Sequence, residues 1–275
     1  MTNIIENCSN SELIIEAIEK SWFKQFVFWG SAPRREVYED PYLKRVTLFA
    51  PERAQFNCVH LARFTPENVH MKIDETVEYF KSRKLPVQWS VGPSTRPIDL
   101  GEHLQAKGFN KVSWELPGMA VELESMNEDF PEPPGFTIKR VKDVETLKDW
   151  MQAGTEGFRL KQSTSDLLFN IESELGFSEH LPRRSYVGYL NGKPVSNSLL
   201  LMTCGVAGLF AVSTIPEARG RGIGTLISLV PLKEARERGY KVGVVHSSRM
   251  GYGVYRRLGF EDYCKIELYR LYSYV

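Results

Sequence analysis

Arg219-Gly220-Arg221-Gly222-Ile223-Gly224 stands where an apolar strand pattern, Gly208-Leu209-Phe210-Ala211-Val212-Ser213-Thr214, gives way to an amphipathic helical one. The helical repeat runs through Leu226, Ile227, Leu229, Val230 and Ala235 and stops at Gly239. Glycine lets a backbone approach an anion closely. The first amides of a helix have no acceptor inside it, so several N–H groups can converge on a diphosphate. A helix dipole contributes only about 0.3–1 kcal/mol, whereas each hydrogen bond to a charged oxygen nets about 1.5–3 kcal/mol. Amides and guanidiniums therefore dominate such a cradle. Taken alone, a glycine-rich turn of this kind also serves as a tight turn or a close packing point. A Walker loop would end in Gly-Lys-Ser/Thr, and a dinucleotide fingerprint would space its glycines more widely and add a later acid; neither pattern is here.

The order Arg-x-x-Gly-x-Gly, preceded by Pro216-Glu217-Ala218, resembles the acyl-CoA-binding motif of the GNAT (GCN5-related) N-acetyltransferases. Further on, Ser248-Arg249-Met250-Gly251-Tyr252-Gly253-Val254-Tyr255-Arg256-Arg257-Leu258-Gly259-Phe260 is similar to that family's next helix, with its tyrosine and its closing Leu-Gly-Phe. The resemblance implies an α/β (α+β) fold: a mixed, mostly antiparallel twisted sheet flanked by helices, with two splayed parallel strands holding the cofactor. It implies acetyl-CoA as that cofactor. Backbone groups around Val212, Ser213 and Thr214 would pair with the pantetheine amides as an added strand does. Arg219, Gly220, Arg221, Gly222, Ile223, Gly224 and Thr225 would hold the diphosphate, with Ser248 and Tyr252 completing the site.

Tyr255 is the catalytic residue that the resemblance implies. When an amine attacks a thioester, the sulfur must leave as a thiolate or collect a proton. A phenol with a reference pKa of about 10 stays protonated at neutral pH and can still serve a thiol of pKa about 8.5. From spacing alone, Tyr255 reads equally as a partly buried aromatic on a helix.

The acceptor amine must also lose a proton before it attacks. Many family members carry a glutamate on the motif strand, but this chain has Phe210, Ala211 and Val212 there. Glu156, Asp166, Glu172, Glu174 and His246 are candidate bases, each also readable as a surface or packing residue. A water chain, an amine of low pKa or a hydroxyl substrate would meet the same need.

At 275 residues the chain is longer than one such module requires, since domains usually run about 100–200 residues. Glu128-Asp129-Phe130-Pro131-Glu132-Pro133-Pro134-Gly135 is acidic, carries three prolines and cannot join a helix or a central strand. It is expected to be a linker, 128–135, between an N-terminal domain, 1–127, and a catalytic domain, 136–275. Within the latter the pattern predicts a strand from Phe136 to Val141, helices from Asp143 to Met151 and near Thr164 to Leu175, and a hairpin turning at Asn191-Gly192.

Ahead of the linker, Leu104-Gln105-Ala106-Lys107-Gly108-Phe109 parallels Tyr255-Arg256-Arg257-Leu258-Gly259-Phe260, with Leu104 in the place of Tyr255. Trp89-Ser90-Val91-Gly92-Pro93-Ser94-Thr95-Arg96-Pro97 resembles tandem family members whose first copy has lost its cofactor motif. A degenerate duplicate is expected there. An unrelated α+β accessory domain with a coincidental Gly-Phe fits the same residues.

Residues 1–133 hold 15 Lys and Arg against 20 Asp and Glu, and residues 134–275 hold 20 against 14, so the basic half carries the glycine turn. That suits an anionic cofactor, although ordinary solvated surface gives similar differences. A net charge of +1 and the lack of a basic tract speak against nucleic acid as partner. Cys8, Cys58, Cys204 and Cys264 form no CxxC pair, and the five histidines form no HExxH, so reduced thiols and no metal site are expected. Cys204 and Cys264 read as core strand residues. No window reads as a signal peptide or membrane span, and Leu13-Ile14-Ile15 with Ile18 reads as a helix face, which predicts a cytoplasmic protein without a membrane partner.

The function expected is transfer of an acetyl group from acetyl-CoA to a primary amine of a small molecule or peptide, with Tyr255 as general acid. The alternative is a non-catalytic acyl-CoA-binding sensor. A third class, an aminoacyl or peptidyl transferase using charged tRNA, is disfavoured by the CoA-type loop and the weak basic character. Oligomeric state, monomer or homodimer, stays open.

Overall fold

The computed structural model describes residues 3–33 and 35–272. The chain begins with α1 (Ser11–Gly30), the short strands β1 (Glu36–Glu39) and β2 (Lys44–Thr47), β3 (Asn57–His60), α2 (Val69–Lys81) and β4 (Val87–Val91). It continues through α3 (Leu100–Ala106), β5 (Asn110–Lys111), β6 (Leu116–Glu122), β7 (Phe136–Arg140), α4 (Val144–Phe158), α5 (Gln162–Leu175) and β8 (Arg183–Leu190). It ends with β9 (Lys193–Thr203), β10 (Val206–Thr214), α6 (Ile223–Glu237), β11 (Val242–His246), α7 (Tyr252–Leu258) and β12 (Glu261–Leu271). No helix among the described residues is long and apolar enough to cross a membrane.

Contacts divide the chain into two compact units. The larger takes the described residues up to Trp22 together with Gly118–Tyr263, and the smaller takes the described residues of Phe23–Pro117 and those from Cys264 onward. This division does not follow the cut expected at 128–135. The stretch 128–133 forms neither helix nor strand, and Glu128 accepts from Lys233 Nζ at 2.9 Å and Arg236 Nη1 at 2.6 Å on α6.

In the larger unit the sheet runs β6-β11-β10-β9-β8-β7, and β10–β11 is its one parallel pair among the described strands. Asn191 and Gly192 both take positive φ, 50° and 82°, as a two-residue turn between β8 and β9 requires. Cys204 and Gly205 form the same kind of turn between β9 and β10, at 54° and 78°. Cys204 is thus a half-exposed turn residue, and Cys264 on β12 is likewise only half-buried, so neither is core.

Helices α4 and α6 pack across the same strands from opposite faces. On β9, Ser198 Oγ donates to Ile227 O of α6 at 2.8 Å, while its neighbour Asn197 lies against Gly154 of α4. The Ser198 bond has a local cause. Pro231 inside α6 has no N–H for the carbonyl four residues back, and Ser198 supplies the missing donor to it. Leu200, Leu209, Ile227, Val245, Leu258 and Phe260 fill the core on this side. α4 starts on a capping box in which Asp143 accepts from Thr146 N at 2.8 Å.

The smaller unit repeats part of this path. Its sheet runs β1-β2-β3-β4-β12, with β3 and β4 parallel and α2 crossing between them, and Val59, Ile73, Phe80, Trp89, Leu104 and Phe109 in its core. Each unit is completed by a strand that follows the other's last helix: β6, after α3, pairs antiparallel with β11, and β12, after α7, pairs antiparallel with β4. The Gly-Phe echo is a helix cap in both places. Phe109 N donates to Leu104 O at 3.1 Å and Phe260 N to Tyr255 O at 3.0 Å, across Gly108 at φ 87° and Gly259 at φ 100°.

Candidate functional site

β10 and β11 pair only from Ala207–Gly243 to Leu209–Val245 and then part. The cause is a bulge: between Phe210 and Ser213 the register of β10 against β9 slips, with Ala211 at φ 47°. Asn197, fully buried, holds the bulge, its Nδ2 donating to Ala211 O at 2.8 Å and its Oδ1 accepting from Ser213 Oγ. α4 comes close enough to support it because Gly154 and Gly157 face it. A Cβ on Gly157 would lie 2.2 Å from Ser213 Oγ. Beyond Leu209 no strand among the described residues pairs with the inner edge of β10.

The glycine turn follows. Gly220 and Gly222 take φ 76° and 78°, and Gly222 is the N-cap of α6 without any side-chain cap. Thr225 N and Leu226 N both donate to Gly222 O, at 2.9 and 3.2 Å. Among the described residues no hydrogen bond takes the amides of Gly220, Arg221, Gly222, Ile223 or Gly224. A Cβ on Gly220 would meet nothing within 4 Å, and one on Gly224 nothing nearer than 3.8 Å, so the space in front of the turn is open.

The turn and the parted strand border one cavity of about 570 Å³. Of the residues expected to bind cofactor, it brings together Val212, Ser213, Thr214, Arg219, Gly220, Gly222, Ile223, Gly224, Thr225 and Ser248, and it places the expected acid, Tyr255, in the same wall. Arg221 and Tyr252 do not line it. Arg221 is exposed on the turn, and the Tyr252 hydroxyl is drawn away to Asp262 Oδ2 at 2.6 Å. Arg219 lines the cavity, and its Nε donates to Thr214 O at 2.9 Å and its Nη2 to Gly157 O at 3.2 Å. Its guanidinium ties the end of β10 and the end of α4 to the turn.

Tyr255 is buried, and no hydrogen bond from the described residues reaches its hydroxyl. Burial pushes the phenol well above its usual range, so it holds its proton at neutral pH. The ring lies over Gly251, where a Cβ would come within 2.9 Å of Cε2.

None of the candidate bases reaches this cavity. Glu172 is buried against Arg183, Glu156 and Asp166 accept from Gln152 and Gln162 on the helix surface, Glu174 is exposed, and His246 packs between Trp22 and Phe210. The side-chain charges in the cavity wall are the cations Arg219 and Arg257. Residues not foreseen are Gly157 and Phe158 from α4, with Ala218, Met250, Gly251, Val254 and Arg257. The small-residue spacing Ala153, Gly154, Gly157 was a readable signal for close approach of α4; Arg257 gave none.

The smaller unit closes what the larger leaves open. Beyond β3, Arg96 N donates to Ala62 O and Phe64 N to Arg96 O, both at 2.9 Å, so the gap between the parallel strands is zipped. Ahead of α2, Pro66 has no amide, Glu67 adds a negative charge, and Asn68 N and Val69 N donate to Thr65 O at 3.1 and 3.0 Å.

Solved structures share this architecture. A GCN5-related N-acetyltransferase from Kribbella flavida is 17% identical, with 94% of this chain and 95% of that one aligned at a TM-score of 0.69. A GCN5-related N-acetyltransferase from Sphaerobacter thermophilus is 17% identical over 96% and 92% at 0.63. A tandem GNAT protein from the clavulanic acid biosynthesis pathway is 13% identical over 98% and 97% at 0.60. No protein-family model and no curated protein sequence matches the chain. The chain therefore has the GNAT fold, over nearly its full length.

Proposed function

We propose that the larger unit binds acetyl-CoA and transfers its acetyl group to a primary amine of a small molecule or peptide. The observation that carries this is the conjunction of five amides that find no acceptor among the described residues, open space before them, and a tyrosine hydroxyl in the same cavity wall that no described residue hydrogen-bonds. The residues fit the cofactor: the amides of Gly220–Gly224 would take the diphosphate, and the free inner edge of β10 at Val212 and Thr214 would take the pantetheine amides. Bound acetyl-CoA supplies a thioester carbon to the acceptor nitrogen. As the C–N bond forms and the C–S bond breaks, Tyr255 Oη would give its proton to the departing sulfur, the amine proton would pass to solvent, and solvent would reprotonate the phenol. The smaller unit, with its gap zipped and its helix start occupied, is read as a degenerate copy that binds no cofactor.

Release of free thiol from acetyl-CoA in the presence of an amine panel tests this reading. We expect acceptor-dependent release, and Tyr255→Phe to lower kcat by about 10²–10⁴ while changing acetyl-CoA affinity less than about twofold. Binding without release by any amine would favour the sensor alternative, and undiminished turnover in Tyr255→Phe would leave Tyr255 a packing residue.

A further inference from the structure

We infer that Arg257 binds the 3′-phosphate of CoA, so that the site distinguishes CoA from its 3′-dephospho form; this rests on the acyl-CoA reading above. Two guanidiniums line the cavity. Arg219 has committed its Nε and Nη2 to the carbonyls of Thr214 and Gly157. The Arg257 guanidinium makes no hydrogen bond or ion pair with any described residue, and it is exposed. Its backbone is nonetheless fixed: Arg257 O accepts from Asn127 Nδ2 at 3.2 Å, and the helix ends two residues later in the Gly259 cap. The adjacent Arg256 is already engaged, donating to Phe260 O at 3.0 Å, so the two arginines are not interchangeable.

The charge requirement points to the same residue. The amides of the glycine turn answer a diphosphate, but CoA carries one phosphate more, a ribose monoester close to a dianion at neutral pH. Among the described residues no acid lines the cavity to oppose that charge. A planar guanidinium meets a phosphate with two parallel N–H donors, and an uncommitted one loses no protein contact in doing so. Arg221, also exposed and without a partner among the described residues, lies outside the cavity wall and is the natural control.

Calorimetry with CoA and with 3′-dephospho-CoA on the full chain decides the matter. We expect the wild-type protein to bind CoA at least about tenfold more tightly than the dephospho form. Arg257→Ala should lose about that factor for CoA and change less than about twofold for dephospho-CoA, with Arg257→Lys recovering part of the loss and Arg221→Ala keeping the discrimination. Equal wild-type affinities, an equal loss for both ligands in Arg257→Ala, or loss of discrimination in Arg221→Ala would overturn the assignment. Failure of both ligands to bind the wild-type protein would instead remove the acyl-CoA reading, and the assignment with it.

Discussion

Tyr255 and His60 show how one physical term, loss of water, sets two different behaviours. Burial raises the phenol of Tyr255 and so secures its proton. Burial lowers the imidazole of His60 from 6.5 to about 3, with Nδ1 at 2.9 Å from Ser90 Oγ and Phe26 stacked at 5.3 Å. Between those two values the unfolded chain binds a proton that folded His60 refuses, so stability is lost as pH falls from about 6.5 towards 3. His60→Gln should flatten this loss; urea midpoints at pH 7, 5 and 4 should fall more steeply for the wild-type protein. Parallel slopes would assign the acid sensitivity to other groups. At this scale the glycine turn ahead of α6 and the helix that carries Tyr255 were legible because their patterning is local. The role of Arg219 was not, since its two acceptors, Thr214 O and Gly157 O, meet only in the fold.

β10 was legible as an apolar strand, but its bulge was not, because a register slip belongs to two strands and to the side chain that holds them. That side chain is Asn197, buried at 1% exposure between Ala211 O, Ser213 Oγ and Gly154. Asn197→Ala leaves a buried carbonyl and hydroxyl unpaired at a residue already at φ 47°, which costs about 1–3 kcal/mol. We expect that loss in urea unfolding, and acetyl-CoA affinity reduced about tenfold because the parted edge of β10 is no longer held. Asn197→Asp should fail similarly, since it cannot donate to Ala211 O. Full affinity in both variants would mean that the strands part without this contact. α6 illustrates the converse, a sequence conflict resolved by tertiary structure: Pro231 disrupts its ladder, and Ser198 repairs it from β9.

For the whole molecule, length and the Gly-Phe echo pointed to two modules, yet the echo itself is cap chemistry that recurs at Gly239, where Tyr240 N donates to Ala235 O at 3.1 Å. The repeated strand–helix–parallel strand path is the stronger sign. The exchange of β6 and β12 was invisible, because an apolar strand does not name its partner. It has a direct consequence. Fragments 1–127 and 128–275 each lack a strand that their own sheet needs, beside β4 and β11 respectively. We expect neither alone to unfold cooperatively, and co-expression to restore a complex that binds acetyl-CoA. Cooperative unfolding and full affinity in 128–275 alone would show that β6 is dispensable.

The most direct measurement is the backbone amide spectrum of the ¹⁵N-labelled protein titrated with CoA. We expect the resonances of Gly220–Gly224 to shift and gain exchange protection, while those of Asn68 and Val69 at the start of α2, already bonded to Thr65 O, stay in place. Saturating CoA that leaves the Gly220–Gly224 amides unmoved would contradict the cradle and the enzyme built on it.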